Sequence, residues 1–280
     1  MDPHITDFKG QRVHMIGIGG SSMSGLAEML KYEGYQVTGS DSNDSHAAQR
    51  LQLQGIPVSI GHHPEEIEGA HLVVYSAAIH EEDEERMEAK RLAIPQMDRA
   101  VLLGQLMEGY RETLCICGTH GKTTTTAMAA QMLLGMGMDP SVHMGGRLDA
   151  LGGSTRIGSP DLFIAEACEF NRSFLHMKPT TAILLNIEED HLDCYGDMEH
   201  AEEAFFQFLS PLPESGLVIA NAEDERVMKV LEKLPRRVET FGLNTGDWTA
   251  RDITLSDQGM PTSSACLHGK EVAQVTLNVA

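Results

Sequence analysis

The chain has 280 residues, 41% of them hydrophobic and 22% charged, the proportions of a soluble globular protein with room for two domains. Its 21 basic and 41 acidic side chains leave a net charge of −20, which argues against duplex nucleic acid or an anionic membrane as a main partner. No apolar run reaches the roughly 18 residues of a membrane span, and the opening MDPHITDFKGQRVHMIGIGG lacks the core of a signal peptide.

Strand and helix patterns alternate from the start. Residues 12–18 read as an apolar strand, followed by a glycine turn and a helix over about 22–33. A second strand, 35–39, ends in Ser40-Asp41. A helix at 45–54, a short strand at 58–60, a β-branched strand at 72–76 and a helix at 82–92 continue the series. The acidic run 81–88 reads as the solvated face of that last helix. Such alternation implies right-handed βαβ units on a parallel sheet, a Rossmann-like domain. A helix at 100–107 closes it, and the boundary falls within 107–111, giving domains 1–109 and 110–280.

The second domain opens with a strand at 113–117, a glycine loop and a helix at 122–134, the order of a phosphate-loop α/β ATPase domain. Further buried strands are expected at 162–165, 181–186 and 217–221. Short alternating strands over 251–279 suggest a mixed or antiparallel patch. The five cysteines are scattered, and Cys115 and Cys117, on one face of a strand, read as core rather than metal ligands. Reduced thiols used this way fit the cytoplasm.

Three constellations could carry chemistry. In Gly118-Thr119-His120-Gly121-Lys122-Thr123-Thr124 a strand feeds a tight turn and a helix begins at the lysine. Backbone N–H groups and the helix dipole then converge on one anion, with Lys122 on its β and γ phosphates and Thr123 on magnesium. The general pattern wants a further glycine where Ile116 stands. Glu166, with Cys168-Glu169 just after it, follows a strand end where open α/β sheets bind ligands, and suits a magnesium site. The run from Asn186 to Asp193 follows another strand, and His191 and Asp193 within it suit a second cation. Asn186 is counted with the nucleotide site. His62, His63 and His71 read as surface.

A second glycine loop lies earlier. Gly17-Ile18-Gly19-Gly20-Ser21-Ser22-Met23 opens like a dinucleotide fingerprint but has Ser22 where a third glycine belongs, and Asp41 stands where a ribose-binding acid is expected. The reading is a nucleotide diphosphate site; the alternative is a strand–helix turn that binds nothing.

The segments GTHGKTTTT, AEACE and TAILLNIEEDHLD, with GIGGSSMSGLA and VVYSAAI before them, closely resemble the Mur ligases. That family's shorter loop has no glycine at the position of Ile116. The resemblance implies ATP and Mg2+, with catalytic roles for Lys122, Glu166 and His191, and metal ligation by Thr123, Glu166 and His191. It also implies that Gly17, Gly19, Gly20, Ser21, Ser22, Met23, Ser40, Asp41, Ser76 and Ala77 hold a UDP-sugar. UDP-N-acetylmuramate and L-alanine are the substrates implied, joined through an acyl phosphate in peptidoglycan precursor synthesis. Cys168 and Asn171 stand where the family often has acids. The resemblance further places an amino-acid-binding domain beyond residue 280, so the ATPase domain is expected to be incomplete and these residues to bind UDP-sugar without ligating. Rival readings are a murein-tripeptide ligase of the same family and a non-catalytic UDP-sugar-binding module. A Rossmann dehydrogenase is a third, and it would lack its last fingerprint glycine.

Overall fold

The computed structural model describes residues 3–148, 151–190 and 192–277. Two compact units emerge, Met1–Arg111 with Thr126–Glu166, and Glu112–Thr125 with Ala167–Ala280. The first 111 residues run β1 (Arg12–Ile16), α1 (Ser21–Tyr32), β2 (Gln36–Asp41), α2 (His46–Leu53), β3 (Val58–Ile60), β4 (Leu72–Tyr75), α3 (Glu84–Arg91), β5 (Gln96–Asp98) and α4 (Arg99–Met107). The five strands pair in parallel in the order β3-β2-β1-β4-β5. Val13, His14, Met15 and Ile16 are all buried, as expected of a central parallel strand covered on both faces. Ile16 lies level with Ser40, Tyr75 and, through Tyr75, Asp98. The next residues along these strands, Gly17, Asp41, Ser76 and Arg99, therefore share the C-terminal edge of the sheet.

The chain continues through β6 (Glu112–Cys117), α5 (Lys122–Gly135), β7 (Ser141–Leu148), β8 (Gly153–Arg156) and β9 (Leu162–Glu166). Then follow β10 (Thr181–Leu184), α6 (Leu192–Tyr195), α7 (Met198–Leu209), β11 (Leu217–Asn221), α8 (Glu225–Leu231), β12 (Arg237–Gly242), β13 (Trp248–Leu255), β14 (Pro261–Leu267) and β15 (Lys270–Thr276). In the second unit β6, β10, β11, β12 and β13 pair in parallel, and β14 and β15 extend them antiparallel. This is the parallel α/β architecture with an antiparallel end that the strand and helix pattern predicts. In the first unit β7 pairs parallel with β9 and antiparallel with β8. Among the described residues no helix is long and apolar enough to cross a membrane.

Cys115 and Cys117 are fully buried, and burial pushes both thiols up. One expectation is overturned. Glu81, Glu82 and Glu84 are exposed, but Glu85 of the same acidic run is fully buried. Its carboxylate accepts from Ser40 Oγ at 2.5 Å and the His63 N–H at 2.8 Å, and meets His14 Nε2 at 3.3 Å. Burial alone would raise its pKa; hydrogen bonds from His14, Ser40 and His63 outweigh it and hold the carboxyl below its usual value. His62 is half-buried too, with Nδ1 2.5 Å from Asp83 Oδ2.

Candidate nucleotide-binding loops

The first loop joins β1 to α1. Gly17 and Ile18 donate their N–H groups to the Ser40 carbonyl at 2.8 and 3.0 Å, and Gly19 donates to Asp41 Oδ2 at 2.8 Å. A Cβ on Gly19 would stand 2.7 Å from Ser45 Oγ and 2.9 Å from Asp41 Oδ2, so any side chain there would displace these two groups. Asp41 also accepts from the Asn43 N–H through Oδ1 at 3.0 Å, which makes it a brace of the loop. Gly20 caps α1 without a side-chain cap hydrogen bond, at the start of a 12-residue helix whose positive end can face an anion. Gly20, Ser21 and Ala77 are exposed, Ser76 is half-buried, and Ser40 and Met23 turn their side chains inward.

Ser22, standing in place of the third fingerprint glycine, has specific partners. Its hydroxyl accepts from Arg99 Nη1 at 2.9 Å and lies 2.8 Å from His143 Nε2. His143 on β7 is buried and reaches Thr155 Oγ1 on β8 at 3.1 Å. Burial, reinforced by the Arg99 charge, lowers its pKa to about 3, so the imidazole is neutral. Ser154 Oγ donates to the Ser21 carbonyl at 3.0 Å. Gly25 lets α1 approach β8, since a Cβ there would lie 1.8 Å from Thr155 Oγ1. Strands β7 and β8 are thus part of the first loop's support.

The second loop joins β6 to α5. Gly118 has φ +133°, and a Cβ on it would stand 3.0 Å from the Asn186 nitrogen, so glycine is required twice over. Thr119 donates its N–H to the Asn186 carbonyl at 3.1 Å, and His120 donates its N–H to Asn186 Oδ1 at 2.8 Å. Asn186 Nδ2 donates back to the His120 carbonyl at 3.1 Å, and Thr119 Oγ1 accepts from the Glu188 N–H at 2.9 Å. Asn186 therefore holds the loop's shape. Lys122 Nζ donates to the carbonyls of Gly118 and Thr119 at 2.7 and 2.8 Å and lies 2.8 Å from Glu169 Oε2.

Glu169 is 4% exposed, and its carbonyl accepts from Tyr195 Oη at 2.5 Å. It carries the ion pair to the loop lysine, a role that no sequence signal beyond its place after Glu166 indicates. The neighbouring Asn171 has φ +51°, a left-handed conformation that asparagine adopts more readily than most residues, which accounts for that residue type. Glu166, in the first unit, closes β9 and accepts from the Gly145 N–H at 2.8 Å. Thr123 and Thr124 open α5 in the order expected. His191 and the side chain of Asp193 lie outside the described residues.

The donor set suits a polyphosphate with a hard cation. It combines amides at the start of a 14-residue helix, an ammonium already held at the loop, and a threonine hydroxyl next to it.

Residues 12–111 match the model of the Mur ligase family, catalytic domain, and residues 116–280 match that of the Mur ligase middle domain. A UDP-N-acetylmuramate–L-alanine ligase of Acetivibrio thermocellus is 44% identical over all of this chain and 59% of its own length. The enzyme of that name in Caldanaerobacter subterraneus subsp. tengcongensis is 42% identical over 97% of this chain and 59% of its own. The chain thus spans about 59% of the length of these curated relatives. Among solved structures, a UDP-N-acetylmuramate:L-alanyl-γ-D-glutamyl-meso-diaminopimelate ligase of Neisseria meningitides superimposes with a TM-score of 0.87. It has 28% identity, with 96% of this chain and 88% of that one covered. A UDP-N-acetylmuramate–alanine ligase of Thermotoga maritima gives 0.85 at 27% identity, covering 96% of this chain and 61% of that one.

Proposed function

We propose that this chain, which belongs to the Mur ligase family, acts in the ATP-dependent joining of L-alanine to the lactyl carboxylate of UDP-N-acetylmuramate. The relatives at 44% and 42% identity are named UDP-N-acetylmuramate–L-alanine ligases. The observation that carries the reading is Lys122, held at the mouth of a strand–loop–helix turn by two loop carbonyls and Glu169.

A carboxylate resists attack by an amine until one of its oxygens becomes part of a leaving group. Transfer of the γ-phosphoryl of ATP to that oxygen gives an acyl phosphate, and the alanine amine then attacks the carbonyl carbon and expels phosphate. Phosphoryl transfer of this kind depends mainly on positioning and charge neutralisation. Here Lys122 would exchange Glu169 for the β and γ phosphates, while the α5 amides hold the same oxygens. Thr123, Glu166 and His191 would hold magnesium, which supplies neutralisation of like charges between phosphate and carboxylate. In a chain of net charge −20 such local cations carry more of the task. The first loop, Asp41 and the end of β4 would hold the UDP group.

A second reading keeps the site and changes the amine. The structural likeness to a ligase whose name specifies an L-alanyl-γ-D-glutamyl-meso-diaminopimelate peptide favours it. The test is calorimetric titration of the chain with UDP-N-acetylmuramate, with the corresponding UDP-tripeptide, and with magnesium ATP. Micromolar binding of UDP-N-acetylmuramate is expected, and failure of every UDP-sugar to bind would remove the reading of the first loop.

A further inference from the structure

We propose that Arg99 is the charge partner of the diphosphate at the first glycine loop, fixed there by Ser22 and His143. This rests on the reading of that loop as a UDP-sugar site.

Strand register brings Arg99 to the place. Asp98 pairs with Tyr75, and Tyr75 with Ile16, so Arg99 leaves β5 at the level where Gly17 leaves β1, two strands away. At about 4.8 Å per strand its Cα is roughly 10 Å from the loop, a gap that an extended arginine side chain closes with a hydrogen bond at its end. The side chain makes that crossing, since Nη1 reaches Ser22 in the first turn of α1.

Charge supplies the second argument. Arg99 is half-buried, and among the described residues no carboxylate stands within 4.0 Å of its guanidinium, in a chain with 41 acidic side chains. Asp98, its neighbour, instead turns Oδ1 to the Ala100 N–H at 2.7 Å. A partly buried cation at a helix N-terminus, with no anion of its own, is matched by an anionic ligand. A guanidinium suits a diphosphate because its planar fork can bind two oxygens at once.

His143 accounts for the remaining geometry. A neutral ring accepts the Ser22 hydroxyl hydrogen on Nε2 and donates from Nδ1 to Thr155, leaving the Ser22 oxygen to receive Arg99. A charged ring would set a second cation against the guanidinium; the low pKa keeps it neutral.

The experiment is titration of the 280-residue chain and its Arg99→Met variant with UDP-N-acetylmuramate, UDP and uridine at two salt concentrations. The expected result is a loss of tenfold or more for the two diphosphates, uridine affinity within twofold, and a shallower salt dependence. Equal loss for uridine would show that Arg99 only shapes the loop, and unchanged UDP affinity would also overturn the proposal. If the wild-type chain binds none of the three, the reading of the loop fails first, and the two failures are told apart. Should Arg99→Met not fold, Arg99→Lys decides: the charge is kept, so affinity within about fivefold and an unchanged salt slope are expected. A flattened slope there overturns the assignment. His143→Gln, tested alongside, is expected to weaken both diphosphates severalfold without altering the salt slope.

Discussion

The two glycine loops are built to one plan and braced by opposite means. Each leaves a buried parallel strand and enters a helix of 12 or 14 residues. The first is held by an acid, Asp41, and by a half-buried arginine that, among the described residues, has no carboxylate within 4.0 Å. The second is held by a neutral amide, Asn186, and its lysine is already paired with Glu169. In the first, the protein's negative charge is spent on backbone amides and the cation is left over. In the second, the cation is neutralised until something displaces Glu169. A loop of the first kind suits a ligand that binds and stays, whereas one of the second kind suits phosphates that arrive, react and leave.

The largest effect that would break this comparison is at Lys122. Lys122→Ala removes the lysine ammonium of the second loop, and a loss of about 100- to 1,000-fold in magnesium ATP affinity is expected, the scale of truncating one partner of a buried, hydrogen-bonded charge pair. UDP-N-acetylmuramate affinity should be unchanged in the same variant. Calorimetry with both ligands checks it, and a parallel loss of both would show that the loops do not act separately.

Both loops are legible in the sequence because each is local. A few consecutive residues specify the strand end, the glycines and the helix start. Their supports are not. Arg99 and Ser22 lie 77 residues apart, and Ser22 and His143 lie 121 apart. The β7–β8 pair escapes the strand pattern because Gly145, Gly146, Gly152 and Gly153 interrupt its apolar alternation. Strand β12 and helices α7 and α8 likewise carry no motif: the helices contribute core residues, and no residue of β12 is fully buried. Glu85 misleads for another reason: inside a run of acids its burial shows only once His14, Ser40 and the His63 amide are seen around it. The ion pair of Glu169 with Lys122 spans 47 residues and has the same cause.

A smaller effect sharpens the contrast at the first loop's support. Gly25→Ala would drive a methyl group into Thr155 and force α1 away from β8. Overpacking of this kind costs about 3 kcal/mol, read as a lowered denaturant midpoint. UDP-sugar affinity should fall with it, and Gly25→Ala paired with Thr155→Ala should recover part of both. No change in midpoint would mean that α1 does not rest on the β7–β8 pair.

The smallest effect is a difference in acid sensitivity between the two supports. The second loop's brace, Asn186, does not titrate. The first loop's brace includes His143, whose neutral form is favoured by burial, with Arg99 adding to it, while Ser22 and Thr155 contribute no charge. Its pKa of about 3 lies below the roughly 6.5 of an unfolded histidine. Between these values the unfolded chain binds a proton that the folded chain does not. The stabilisation is therefore complete above about pH 6.5 and declines as pH falls, by about 1.4 kcal/mol for each unit. Carboxylates add their own losses at lower pH, but those are common to wild type and variant. Urea unfolding at pH 7.5, 6.5 and 5.5 should show wild type losing about 1 kcal/mol more than His143→Gln over the last unit. Parallel lines for the two proteins would mean that His143 takes up its proton as readily in the folded chain as in the unfolded one, and the arrangement of Ser22 between a neutral ring and a guanidinium would have to be redrawn.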